Sequence, residues 1–256
     1  MHGIVPAIAR TRCEDPFLAR LARYVALSPQ EAESLHALIE AEATVKKRRD
    51  LVVDGYEYRK LCFVKSGFGA RYKLLRNGKR QIVNVVLPGD VVGLPGSFLD
   101  CAAFSVVAVS EMKLQVCALD AFVALCCRTP KFGLALSWFA VQEATGYAER
   151  VVDIGRRTSM ERLARFLLEV HSRLVTVGLA DPSSFELPFS QELMSDALGL
   201  SVPHLNRTFA RLKSEGLIVV SDRHVVFADI EGLRLLAHFQ PLELAPVPIP
   251  AASLAN

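Results

Sequence analysis

The chain has 256 residues, 51% of them hydrophobic, with a formal net charge of +3. That length suffices for two modest domains with real cores, and the weak positive charge means that nucleic-acid binding must rest on a local basic face. No apolar run reaches the 18 or more residues of a membrane span, and "MHGIVPAIAR" lacks the basic region of a signal peptide, so a soluble cytoplasmic protein is expected.

In chain order, residues 17–43 are expected to be helical, since Leu18, Leu21, Tyr24, Leu35, Leu38 and Ile39 recur on helical faces. Within that stretch Ser28, Pro29 and Glu31 form a capping box with a first-turn proline. From about Lys46 to Leu119 short runs rich in Val, Phe, Tyr and Leu alternate with turn signals such as "KSG", "RNGK" and "LPGD". The pattern predicts a β jelly roll or barrel, because no crossover helices intervene. Asn77-Gly78, between Phe68–Leu75 and Lys79–Val86, predicts a hairpin with a type I′ turn.

After Phe122 the helical period returns: Leu134, Trp138, Val141, Thr145, Ala148 and Val152 recur at threes and fours. A helix so long and so apolar along one line needs a partner, and a second copy of itself is the simplest one. "DIGRRTS", Asp153 to Ser159, interrupts the run and predicts a hinge. A loop with a short strand, two brief helices, two β-type runs joined by Ser221 to Arg223, and an amphipathic stretch to Phe239 follow. The Pro- and Ala-rich tail from Pro241 reads as disordered.

The six cysteines, Cys13, Cys62, Cys101, Cys117, Cys126 and Cys127, form no C-x-x-C pair and are expected to be free thiols that pack rather than react. The chain shows no P-loop, G-x-S-x-G or H-E-x-x-H motif, which argues against an enzyme.

Gln191 to Thr208 fits a helix-turn-helix. Met194, Leu198, Leu200 and Leu205 are apolar where two helices would pack, Ser195 is small at their crossing, and Gly199 suits a left-handed turn. Ser190 and Ser201 are placed to cap the two helices, and Pro203 falls in a first turn, where its missing N–H costs nothing. With Leu205, Phe209 and Leu212 turned inward, the opposite face presents His204, Arg207 and Arg211, with Asn206 nearby. Arginine can bond a guanine through two hydrogen bonds, and asparagine or histidine can reach base edges or phosphates, so this face suits a major groove. Arg223 and His224, at the turn of the following strand pair, make a wing that can meet phosphates. A winged helix serving protein contacts is the competing reading. Arg207, Arg211, Lys213 and Arg223 against Glu215 and Asp222 favour phosphate.

The β region, long helix, "GRR" hinge and "LPFSQELMSDALGLSVPHLNRTFARLKSEGLI" together resemble the Crp/Fnr superfamily of bacterial transcription regulators, over residues 20–240. The resemblance implies an α+β chain: N-terminal helices and a jelly-roll sensor over 1–127, a dimerisation helix and hinge over 128–155, a winged helix-turn-helix over 156–240, and a tail over 241–256. It implies a homodimer on a two-fold symmetric double-stranded DNA operator and contact with RNA polymerase. Arg207 falls where the family's recognition helix carries a base-contacting arginine, and Ser190 and Gln191 where the preceding helix meets phosphate. Ser201 and Val202 open the recognition helix, and Val202 and Pro203 depart from the arginine and glutamate of the best-known members. Cyclic-nucleotide binders of the family carry a glutamate for the ribose and an arginine for the phosphate. Here Leu94 and Pro95 stand in the glutamate region and Phe104 stands for the arginine, so cyclic AMP is not expected as a ligand. The β region holds no histidine for a haem and the N-terminus holds only Cys13, so no cofactor is expected.

Overall fold

The computed structural model describes residues 15–94 and 99–241. Cys13, Pro95 and the tail beyond Pro241 lie outside them. Two short helices open the chain, α1 (Pro16–Leu21) and α2 (Pro29–His36). Asp15 caps the first by accepting from the Phe17 and Leu18 amides, and the Ser28–Glu31 capping box closes both ways on the second. The expected helical stretch to residue 43 is corrected here: helix ends at His36 and Ala41–Val45 is a strand, β1. "AEATV" alternates side chains on one edge of a sheet, and cross-strand pairing with Val116–Met112 outweighs its residual helical preference.

Seven more strands complete two four-stranded antiparallel sheets: β2 (Asp50–Val52), β3 (Lys60–Ser66), β4 (Gly69–Leu74), β5 (Arg80–Val86), β6 (Val91–Val92), β7 (Ser105–Ala108) and β8 (Met112–Ala118). Their orders are β1-β8-β3-β6 and β2-β7-β4-β5, which is a jelly-roll sandwich. Val52, Cys62, Val64, Val92, Val106 and Leu114 fill the space between the sheets. The β4–β5 hairpin forms as expected, but its turn differs. Gly78 alone of the pair has a positive φ, 79°, and its N–H bonds the Leu75 carbonyl at 2.9 Å. Arg76, Asn77 and Gly78 thus form a three-residue loop, a type I turn closed by a left-handed glycine. The Asn77 Oδ1 takes the Lys79 N–H at 3.0 Å, a bond that lets asparagine hold the turn without leaving the right-handed region.

Helix α3 (Leu119–Arg128) leads into α4 (Pro130–Gly155), broken from it at Thr129–Pro130 because a residue before proline avoids the helical region. Phe132, Ala135 and Phe139 of α4 pack with Phe17, Phe63 and Phe122 against the β1-β8-β3-β6 sheet. Trp138, expected on the partner-seeking face, is instead buried against Tyr24. Its neighbours along that line, Leu134, Val141 and Val152, remain exposed.

The winged domain follows: α5 (Ser159–Thr176), β9 (Ser184–Glu186), α6 (Gln191–Leu198), α7 (Val202–Ser214), β10 (Ile218–Ser221), β11 (His224–Phe227) and α8 (Ile230–Leu236), with a sheet ordered β10-β11-β9. Thr158 and Glu161 form a capping box that starts α5 directly after the hinge. Its core of Leu163, Phe166, Leu167, Val170, Phe185, Leu205, Leu212 and Val225 is continuous with Ala70, Ile82, Val85 and Leu87 of the jelly roll. Among the described residues no helix is long and apolar enough to cross a membrane.

Candidate nucleic-acid interface

Helix α6 begins at Ser190, whose Oγ accepts the Leu193 amide at 3.3 Å, and ends at Gly199 with φ 64°. In that left-handed conformation the Gly199 and Leu200 amides return to the Ser195 carbonyl, which closes the helix and reverses the chain. Arg162 of α5 donates through Nη1 to the Leu198 carbonyl at 3.0 Å, satisfying another orphan acceptor of the helix end, and through Nε to the Arg157 carbonyl at 2.8 Å. One side chain therefore joins the hinge to the turn.

Helix α7 begins at Ser201, which has an extended backbone but makes no side-chain cap bond; its expected capping role is corrected. Pro203 in the first turn sets the helical φ and removes one orphan donor, so the start depends less on a capping oxygen. Leu205 and Leu212 are fully buried and Phe209 half-buried, as their spacing requires. Thr208 is buried as well, its hydroxyl returned to the His204 carbonyl at 2.9 Å.

The outward face holds His204, Asn206, Arg207 and Arg211, all exposed, with Ser201 exposed and Val202 half-buried beside them. Asn206 Nδ2 donates to Gln191 Oε1 at 3.2 Å, so the two helices share a polar bridge at the surface. Arg211 reaches Glu215 only at 3.9 Å. Arg207 is left facing solvent.

The wing is a two-residue turn in which Asp222 and Arg223 both have positive φ, 45° and 69°. This is the type I′ geometry that Asn77-Gly78 does not adopt, and here the twist of paired β10 and β11 enforces it on residues that ordinarily avoid it. The Leu187 amide bonds the Arg223 carbonyl at 2.7 Å, and Arg223 Nε returns to the Leu187 carbonyl at 3.3 Å. The wing tip is thereby fixed to the strand that precedes α6. Ser190 and Gln191, exposed at the start of α6, complete the candidate set.

Reasoning from the sequence passed over Arg162, Asp196 and Thr158. The Thr158–Glu161 box was legible as T-x-x-E. Arg162 and Asp196 act through partners distant in sequence, Leu198 and Arg80, so no local pattern marks them.

Residues 161–236 match the family model of the Crp-like helix-turn-helix domain, and residues 42–128 match the model of the cyclic nucleotide-binding domain. The chain is 30% identical over 181 residues to the transcriptional activator protein FnrL of Cereibacter sphaeroides, covering 68% of this chain and 72% of that one. It is 26% identical over 235 residues to the transcriptional activator protein FnrA of Stutzerimonas stutzeri, covering 91% and 95%. Among solved structures, FixK2 from Bradyrhizobium japonicum is similar with a TM-score of 0.70 and 25% identity, over 77% of this chain and 96% of that one. With the jelly roll, long helix and winged helix in the same order, this chain belongs to the Crp/Fnr family and is a DNA-binding transcription regulator, not an enzyme.

Proposed function

We propose that two copies pair along α4 and set their α7 helices into successive major grooves of a two-fold symmetric operator. Half-sites would lie about one helical turn, roughly 34 Å, apart. The observation that carries this reading is the outward face of α7, where Arg207 is unopposed and Asn206 is held by Gln191. A side chain already fixed by its neighbour loses little freedom when it meets a base edge.

In this reading Arg207 bonds a guanine, with His204, Asn206 and Val202 beside it at the base edges. Ser190, Gln191, Ser201, Arg211 and the wing's Arg223 meet phosphate and fix the register, since phosphate contacts position a helix and base contacts specify it. A signal at the jelly roll reaches α7 through the hinge at Gly155, and contact with RNA polymerase turns occupancy into a change of transcription.

The test is selection of duplex DNA from a random pool by the purified full chain in reducing buffer with no ligand. Enrichment of a two-fold symmetric site is expected. Binding that fails at every salt concentration overturns the reading, because neutralising phosphates makes affinity fall steeply with salt and low salt must reveal it.

A further inference from the structure

A buried arginine joins the jelly roll to the long helix. Arg71, on β4, is 2% exposed. Its Nη1 donates to Glu143 Oε1 at 2.6 Å and to the Tyr147 hydroxyl, both on α4. Its Nη2 donates to the Leu94 carbonyl at 3.3 Å, and the Phe104 ring lies 4.6 Å from Cζ. The resemblance places Leu94, with Pro95, in the glutamate region of a nucleotide-binding cassette and Phe104 at its arginine. The chain's own cation thus fills the space that those two positions border.

What remains beside it is small. A cavity of about 150 Å³, lined by Arg71, Arg20, Asp90, Gln142, Glu143 and Arg173, adjoins the guanidinium. Pockets that enclose a drug-sized ligand start near roughly 300 Å³. The cavity is also occupied electrostatically, since Asp90 pairs with both Arg20 and Arg173.

The pairing is poorly explained as a device for stability. Taking a guanidinium and a carboxylate out of water costs about as much as their attraction returns, and apolar residues of like volume hold two elements together at least as well. Arg71 Nε has no hydrogen-bond partner, so even its polar demand is incompletely met. What a forked, charged group adds is direction, because Glu143 and Tyr147 of α4 must both meet a guanidinium whose other end is held by the Leu94 carbonyl of the jelly roll.

The same hairpin also touches the DNA-binding domain. Arg80 on β5 gives Nε and Nη2 to Asp196 Oδ2 of α6 at 3.0 and 2.7 Å, and Gln81 Nε2 donates to the Asp196 carbonyl at 2.8 Å. Arg173 of α5 donates to the Val85 carbonyl at 3.2 Å. Strands β4 and β5 therefore bear on α4 at Arg71 and on the winged domain at Arg80, Gln81 and Val85.

We propose that Arg71 is a built-in substitute for an effector: it fixes α4 on the jelly roll, and through the β4–β5 hairpin it holds the winged domain ready for DNA without a small-molecule ligand. The DNA half of this proposal rests on the function proposed above; the junction half does not. The test uses the full chain and its Arg71→Met variant, which keeps the volume and removes the charge, with Glu143→Gln as a second variant.

Two measurements are made: affinity for the selected operator with and without millimolar cyclic AMP or cyclic GMP, and hydrogen exchange of residues 139–155 without DNA. The unmodified chain is expected to bind without ligand and to ignore both nucleotides. Arg71→Met is expected to bind the operator about tenfold more weakly, in the usual range of coupling between sites, and to exchange faster along α4. Glu143→Gln is expected to share both changes in smaller degree. Operator binding by Arg71→Met within about twofold of the unmodified chain overturns the proposal, as does an about tenfold gain by the unmodified chain with either nucleotide. If the unmodified chain binds no DNA at any salt, the functional reading fails by itself, and unchanged exchange along α4 in Arg71→Met then overturns the junction role separately.

Discussion

Arg223 stands in the left-handed region at φ 69°, where a side chain with a Cβ is strained by about 1–2 kcal/mol. Glycine would relieve that strain but gives back part of the gain in the unfolded chain. The Nε bond to the Leu187 carbonyl is lost as well, so Arg223→Gly is expected to change the stability of the winged domain by less than about 1 kcal/mol while weakening DNA binding and flattening its salt dependence by about one ion. Thermal melts and a salt titration of operator affinity check the two parts; a variant that folds as stably and keeps the full salt dependence removes Arg223 from the phosphate contacts. Arg207 differs, for it lies on a regular helix and carries no strain. Arg207→Ala is expected to leave stability unchanged and to lose about 1–3 kcal/mol of discrimination at one base pair, with nonspecific affinity kept. Repeating the DNA selection with the variant measures this directly, and an unchanged site preference would refute the assigned role. His171 makes a third case, buried between Phe185 and Phe227 with Nε2–H donating to the Asp181 carbonyl at 2.8 Å. Burial pushes its imidazole below the ordinary value of 6.5, so the fold holds it neutral while the unfolded chain takes up a proton. Its contribution is complete above that ordinary value and is lost as pH falls from there through the depressed folded value. The melting temperature should fall with pH in that window, and His171→Gln should flatten this part of the profile.

At the scale of elements, the turn between α6 and α7 isolates what glycine contributes. A Cβ added at Gly199 would meet nothing nearer than Arg162 Nη1 at 3.8 Å, so space is not the constraint; the φ of 64° is. Gly199→Ala is expected to cost about 1–2 kcal/mol by urea unfolding, with the helices still formed by circular dichroism, and a larger loss would point to the Arg162 bridge instead. The same distinction explains what was legible in the sequence. Gly199, the capped serine at 190 and the apolar spacing of α7 act on residues within one turn of themselves, so a linear reading finds them. The jelly roll was legible because its turns are punctuated by glycine and proline. Strand β1 was not, because "AEATV" follows a helix without a break and becomes a strand only through pairing with β8, about 70 residues away. Asn77-Gly78 misled for a related reason: the dipeptide permits a type I′ turn, but loop length decides the type, and the bond from Leu75 to Lys79 closes three residues rather than two. Trp138 fits the heptad line in sequence, yet Tyr24, in the turn after α1 and more than 100 residues away, claims it. The Arg71 cluster was invisible for the same reason, since its partners lie 23 to 76 residues from it.

For the whole molecule, the unanswered demand is on α4. Leu134, Val141 and Val152 lie along one line of the helix, seven and then eleven residues apart, and they are 39%, 51% and 43% exposed. Val151 and Ile154 widen the apolar strip near the hinge, at 72% and 42%. On the proposed pairing along α4, a copy of the same helix related by a two-fold axis would meet this strip residue for residue and cover it. The hinge end of the strip is built stiffly: Arg157 pairs with Asp153 at 2.5 Å and Glu149 at 2.9 Å, while Arg165 of α5 also reaches Glu149 at 3.1 Å. Pairing of α4 helices would therefore set the direction in which each winged domain leaves, and through it the distance between the two α7 helices. Val141→Asp with Val152→Asp places four carboxylates in a dimer seam and none in the protomer's own core, so the protomer should fold as before and pairing should fail. Sedimentation is expected to show a monomer at micromolar concentration, with circular dichroism unchanged. Affinity for the full operator should drop to that for an isolated half-site, because the second winged domain no longer gains the effective concentration that linkage supplies. A double variant that remains dimeric would place the pairing surface elsewhere, and one that is monomeric yet keeps full-operator affinity would show that DNA, not α4, brings the two recognition helices together.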